Sequence, residues 1–292
     1  MAECKDRYTF WQRFFLHKIG NVGLGILILF TLLAMFAPVI APYSPVDTNL
    51  EAVRQAPQGG HWFGTDELGR DVFSRLLYGA RVSLLVGISS VLLSTTIGLG
   101  FGLMSGYGGG ILDNVMMRLV DGLLSLPSLI LVIALQALGK QGLWSVVLVI
   151  AATNWMQTAR LVRTEFLSMK QRPFVKAAVT MGTSDWNLIF RHILPNCLAS
   201  VVVLATINVG HAIVTEAALS FLGLGIPPHL PSWGNMLMGG QRSILAGCWW
   251  ITFFPGAMIV ATVLAVNFVG DGIRDALDPL SLENSRQSSK VS

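Results

Sequence analysis

The pattern of apolar and polar positions divides the chain into long uncharged runs separated by short charged ones. Residues 1–18 are polar and net basic, with Arg7, Arg13 and Lys18, and from Ile19 to Ala41 there is no charge at all. That run exceeds the apolar core of about 7–15 residues in a signal peptide and suits a spanning helix of about 20. A retained anchor ending at Pro38 and Pro42 is expected. The next stretch is too charged to lie in hydrocarbon. Within it, Val72, Phe73, Leu76 and Leu77 share one helical face, with Arg70, Asp71, Ser74 and Arg75 on the other. This spacing predicts an interfacial helix with a solvated polar face, leading into the second span.

The second span is expected from Val82 to about Ser105, with Gly98, Gly102 and Gly106 forming a ridge of small residues for close helix packing. After a Gly-rich turn at 106–110, a third span begins where Arg118 and Asp121 stand three apart, placed to pair on one face. It ends near Leu138, with a kink expected at Pro127. The fourth span, 143–159, carries Thr153, Gln157 and Arg160 along one polar edge. A polar, basic island of residues 160–196 follows. A fifth span is expected from about Asn196 to Glu216, and a sixth from about Cys248 to Gly270. Pro227, Pro228 and Pro231 argue against another span between them. The residues after Leu280 are Ser-rich and are predicted to be disordered.

The pattern predicts an all-α integral membrane protein of six transmembrane helices. Its expected parts are an N-terminal segment 1–18, a first transmembrane helix 19–41, a loop 42–81, a five-helix core 82–279 and a tail 280–292. Composition agrees: 53% of residues are hydrophobic and 12% charged, with mean hydropathy +0.62, whereas soluble domains carry about 25% charged residues. The net charge of +4 does not call for a nucleic-acid partner, because loop asymmetry accounts for it. With the N-terminus inside, 14 Lys and Arg fall on inner segments and 6 on outer ones. The positive-inside rule then puts both termini and the island in the cytoplasm, and residues 42–81 outside.

The same residues exclude several chemistries. Cys4, Cys197 and Cys248 show no metal spacing, and Cys248 falls on the opposite side from the other two, so no disulfide is implied. There is no His-Glu-x-x-His and no Cys/His cluster, hence no expected metal site, cofactor or catalytic residue. A phosphate-binding Gly-x-x-x-x-Gly-Lys-Ser/Thr loop is also missing, so the chain cannot hydrolyse ATP by that route.

The island has a grammar of helix, turn, helix, stop. Pro173 suits a first helical turn, Gly182 a left-handed turn, and Thr183 or Ser184 a cap near Asp185. Pro195 is where the second helix should end or kink. This pattern resembles the Glu-Ala-Ala loop of the membrane subunits of ABC importers, with Ala177, Ala178, Gly182, Ile193, Leu194 and Pro195 in the matching places. Lys176 stands where the motif's Glu would sit, so no role resting on that Glu carries over. Gly64-Thr65-Asp66-Glu67-Leu68-Gly69-Arg70-Asp71-Val72-Phe73-Ser74-Arg75 closely resembles a signature of the dipeptide, oligopeptide and nickel branch of these permeases. So do Phe221-Leu222-Gly223-Leu224-Gly225, Trp233-Gly234 and the run Asn267 to Pro279.

The resemblance implies a type I importer fold, a second homologous permease, two ATPase subunits docked on the loop and an extracytoplasmic solute-binding protein. It implies peptides, or nickel and related small solutes, as cargo. Asn208, His211 and Thr215 recur at spacings of three and four in the fifth span, and together with Gln157 they are the candidate lining of the translocation path. At about 1.5 Å per residue, His211 lies about 24 Å beyond Pro195, and Glu216 about 31 Å, where it should reach the outer interface. One imidazole without partners does not make a metal site. A self-sufficient channel or ion-coupled carrier is the alternative. Such proteins commonly bury ionisable groups in mid-membrane, whereas the charges near these spans lie at their ends.

Overall fold

The computed structural model describes residues 10–238 and 240–277, and the Ser-rich tail lies outside the described residues. No β-strand occurs among the described residues. Five helices are long and apolar enough to cross a membrane, and a sixth candidate span is a pair of shorter helices bent by 90°.

A short aromatic helix, α1 (Phe10–Leu16), precedes the first of them, α2 (Lys18–Met35). His17 caps α2, its Nδ1 accepting the Gly20 N–H at 2.9 Å. The helix breaks at Phe36 and resumes as α3 (Ala37–Ile40), with Pro38 in the first turn, where its missing N–H costs no hydrogen bond. Arg81 reaches back to the exposed carbonyl end of α2 and donates to Ala34 O and Met35 O at 2.5 and 2.9 Å.

The expected interfacial helix and second span are one helix, α4 (Val72–Gly108). Its polar first turn is not solvated. Ser74 and Arg75 are buried, Arg75 being only 2% exposed. Residues 42–71 fold back over this turn and meet its polar groups: Arg75 donates to Pro45 O at 3.0 Å and lies 3.5 Å from Asp66. Asp71 caps α4, accepting from Ser74 N at 2.8 Å and from the Ser74 hydroxyl at 2.7 Å. Helical periodicity identified the apolar face correctly, but could not show that the preceding loop returns to cover the other one.

Gly109 and Gly110, both with positive φ, turn the chain into α5 (Gly110–Leu124). Pro127 does more than kink the third span: it starts a separate helix, α6 (Ser128–Leu138), nearly perpendicular to α5. The expected Arg118–Asp121 pair is replaced by a longer-range one, with Asp121 2.5 Å from Arg160 of α7 (Leu143–Lys170). Helix α7 runs well past the expected end at residue 159. It packs on α4 along the predicted glycine ridge: a Cβ on Gly98 would meet Trp155 O at 2.6 Å, and one on Gly102 would meet Ala159 O at 2.6 Å.

The basic island holds α8 (Pro173–Thr180) and α9 (Asp185–Asn187). Of the two outcomes expected at Pro195, an end or a kink, the helix does not end there. A π-helical turn over Leu188–Ile193 leads directly into α10 (Leu194–Phe221), where Pro195 occupies the first turn. A proline has no N–H to give and its ring crowds the carbonyl four residues back. Widening the preceding turn lets the helical rod continue across it.

Between α10 and α13 (Trp250–Leu277) the described residues form two short helices, α11 (Trp233–Met236) and α12 (Gly240–Leu245). Trp233 is fully buried, edge-on to Phe30 of α2, and donates to Leu76 O at 3.1 Å. It forms the centre of an apolar core shared by α2, α4, α10 and α13. A second core joins α4, α7 and α10 through Val86, Val146, Ile150 and Leu219.

Candidate functional site

Two regions combine chemistry with access. The first is the loop between α7 and α10. Pro173 starts α8, and Gly182, at φ +77°, supplies the left-handed turn after it. Nothing lies within 4 Å of a Cβ built on Gly182, so the requirement there is conformational. On its inner side the loop buries Val175, Ala178, Leu188 and Ile193 with Phe166 of α7 and Cys197 of α10. Its outer side is apolar and open: Met181 is 80% and Trp186 70% exposed, beside Phe174, Val179 and Phe190. Trp186 and Phe190 pack ring on ring at 4.2 Å.

Of the residues matched to the Glu-Ala-Ala motif, Lys176, Ala177, Gly182 and Pro195 are exposed, Leu194 is half-buried, and Ala178 and Ile193 anchor the loop from inside. The exposed aromatic pair was missed in the sequence, although its spacing of four within a polar island was a usable signal. Tyr107 of α4 fixes the loop by donating to Asp185 at 2.6 Å. Helix α7, from which the loop departs, is held in turn by Arg163 gripping Asp113 of α5 at 2.6 and 3.0 Å, with Ser105 bonded to the same Asp113.

The second region is a cavity of about 230 Å³ between α5, α6, α7 and α10. The structure places Gln157, Asn208, His211 and Thr215 together on its wall, and adds Thr153 and Asn154. Asn208 is 3% exposed and its Nδ2 has no hydrogen-bond partner. Below it, a more open groove lined by Gln157, Arg160, Thr164, Ser200 and Arg274 shares Leu124 and Gln157 with the cavity. One polar edge therefore runs along α7 and α10 past both.

Glu216, expected to reach the outer interface, is not exposed to solvent. It is 0% exposed, and three hydroxyls surround its carboxyl: Ser220 and Ser232 at 2.8 Å and Ser83 at 3.3 Å. Those serine oxygens in turn accept backbone N–H groups of Ile226, Asn235 and Trp233. Each hydroxyl proton is thereby left to point at the carboxyl. Glu216 ties the segment 226–235 to α4 and α10. A one-dimensional estimate of depth could not show that Ser232 returns from beyond the helix end to satisfy it. Among the described residues no group of His, Cys, Asp and Glu could hold a metal ion.

Comparison with known proteins fits this arrangement. Residues 98–281 match the family described as the binding-protein-dependent transport system inner membrane component. Residues 8–57 match the N-terminal transmembrane domain of oligopeptide transport permease C. The chain is 43% identical to an oligopeptide transport system permease protein of Bacillus subtilis, over 94% of this chain and 91% of that one. It is 42% identical to a dipeptide transport system permease protein of the same organism, covering 92% and 84%. It is also 42% identical to a glutathione transport system permease protein of Pectobacterium atrosepticum, covering 92% and 90%. The chain belongs to the binding-protein-dependent transport system inner membrane component family, and is a multi-pass inner-membrane permease of an ABC importer.

Proposed function

We propose that this chain forms half of the translocation path of a peptide importer and converts ATPase movement into a change of access through the loop between α7 and α10. The observation that carries this reading is the loop's two-sided construction. One side is locked into the helix bundle by Ile193, Leu188 and Phe166, and the other offers Phe174, Met181, Trp186 and Phe190 outside the bundle. A projecting apolar patch of this kind fits a partner surface. The loop also continues through the π turn into α10, which carries Asn208, His211 and Thr215. Displacement of the docked loop therefore acts on the wall of the cavity.

In this reading a second, homologous permease completes the path and two cytoplasmic ATPases dock on the loops. An extracytoplasmic binding protein delivers solute to the opposite side, and both termini are cytoplasmic, as the Lys and Arg distribution indicates. ATP drives the cycle by binding one of the two arrangements preferentially. Relatives named for oligopeptide, dipeptide and glutathione transport support a peptide or closely related solute. Lys176 gives the ATPase contact a positive charge where the motif has a negative one, so the docked surface is expected to offer an acceptor there.

Gly182→Val tests the loop. A β-branched residue at φ +77° carries a left-handed penalty of roughly 1–2 kcal/mol or more. The variant should insert at normal levels, yet co-purify with less ATPase and lose solute-stimulated ATP hydrolysis severalfold. Full coupling at equal expression would refute the docking role.

A further inference from the structure

The hydrogen-bond inventory of the cavity between α6, α7 and α10 says what kind of group it takes. Its wall holds no Asp, Glu, Lys or Arg, and its polar groups are hydroxyls, amides and one imidazole. Two of the three hydroxyl protons are already used: Thr215 donates to His211 O at 2.8 Å and Thr153 to Ile150 O at 3.0 Å, while Ser128, at the exposed start of α6, keeps its own. The amides are not. Asn208 is almost wholly buried with its Nδ2 lacking an acceptor, and Asn154 and Gln157 make no hydrogen bond to a described residue.

A buried amide donor without a partner costs free energy that an arriving acceptor recovers. Each side-chain amide offers both a donor and an acceptor, which is the complement of a peptide bond. An ion would find no counter-charge on this wall. The volume of about 230 Å³ falls below the roughly 300–1,000 Å³ of a complete small-molecule site, so this subunit surrounds only part of a solute.

We propose that this cavity is a binding site for the peptide bonds of the transported solute. Asn208 Nδ2 donates to a backbone carbonyl, and Gln157, facing it from α7, pairs with the same or the next peptide unit. Recognition at this level ignores side-chain identity and charge, which lets one path carry peptides of many sequences. The inference rests on the reading of Asn208 and Gln157 as path residues, and the experiment separates the two.

The complete transporter, with ATPases and binding protein, is reconstituted in proteoliposomes. Uptake at low concentration is measured for tri-L-alanine and for the two depsipeptides in which an ester replaces one or the other of its two amides. Wild type is compared with Asn208→Leu and with Gln157→Met. The second variant is at an exposed position and is safe for folding. Any preference of the binding protein for amide over ester is common to all three proteins and cancels in the ratio. The expected result is that wild type favours the amide and that each variant lowers uptake of the tripeptide by roughly five- to tenfold, the scale of one hydrogen bond. Gln157→Met, which removes the acceptor of the peptide N–H that the ester lacks, also shrinks the preference, whereas Asn208→Leu, which removes the donor to a carbonyl that both solutes keep, slows both. If Gln157→Met slows the amide and both esters equally, the residues act in transport but do not read the peptide bond, and the inference fails. Unchanged tripeptide uptake in both variants removes the path reading itself. A wild-type transporter that does not take up tri-L-alanine contradicts both.

Discussion

At the scale of single residues, Glu216 shows how a charge-bearing group is held inside this bundle. No cation neutralises it among its hydrogen-bond partners. Three serine hydroxyls do the solvating, each already oriented by a backbone N–H from the segment that follows α10. Glu216→Leu would leave those hydroxyls without an acceptor, at about 1–3 kcal/mol for each buried group left unmet. The variant is expected to lower the thermal unfolding temperature in detergent and to expose the segment 226–235 to protease, with Glu216→Gln less affected than Leu. Equal stability of wild type and Glu216→Leu would mean that the network carries no stabilisation. The residue was visible in the sequence, but its environment was not. Its distance along α10 pointed to the outer interface, and only the return of Ser232 and Trp233, sixteen and seventeen positions later, makes it interior. Gly182 is the opposite case. Its role follows from a local backbone requirement, so the sequence alone was enough to place it.

At the scale of elements, the closest association is between α4 and α7, and it depends on missing side chains. Gly98, Gly102 and Gly106 let α7 approach until a Cβ at Gly102 would lie 2.6 Å from Ala159 O and 2.7 Å from the Val162 side chain. This contact also sets the position of Gln157, which lies on α7 between Trp155, where Gly98 approaches, and Ala159, where Gly102 does. Gly102→Leu should cost about 1–3 kcal/mol by overpacking, reducing the yield of assembled complex, while Gly100→Leu, at a site open to its surroundings, should be tolerated. Equal assembly of the two variants would show that the ridge does not set the packing. Spacing of four made this ridge legible. Helix ends were less so: α4, α7 and α10 all extend beyond the apolar runs that announced them, because backbone hydrogen bonding continues into polar turns wherever other segments cover them. The π turn before Pro195 had no sequence signal beyond the proline itself.

At the scale of the whole molecule, one long helix links the loop to the polar edge. The loop between α7 and α10 and the cavity wall share one continuous helical rod, Asp185–Phe221, which on the proposed reading passes a shift of one to the other. The segments 42–71 and 226–250 close the opposite end, joined where Trp250 donates to Thr65 O at 3.1 Å and Ser243 to Glu67 at 3.0 Å. On the proposed reading, partner ATPases supply the energy. The most direct test is peptide uptake by proteoliposomes containing this chain with its partner permease, assayed with each remaining component left out in turn. The account predicts accumulation only when ATPases, ATP and binding protein are all present, with no response to an imposed proton or sodium gradient. Uptake by the membrane subunits alone, driven by such a gradient without ATP, would contradict it.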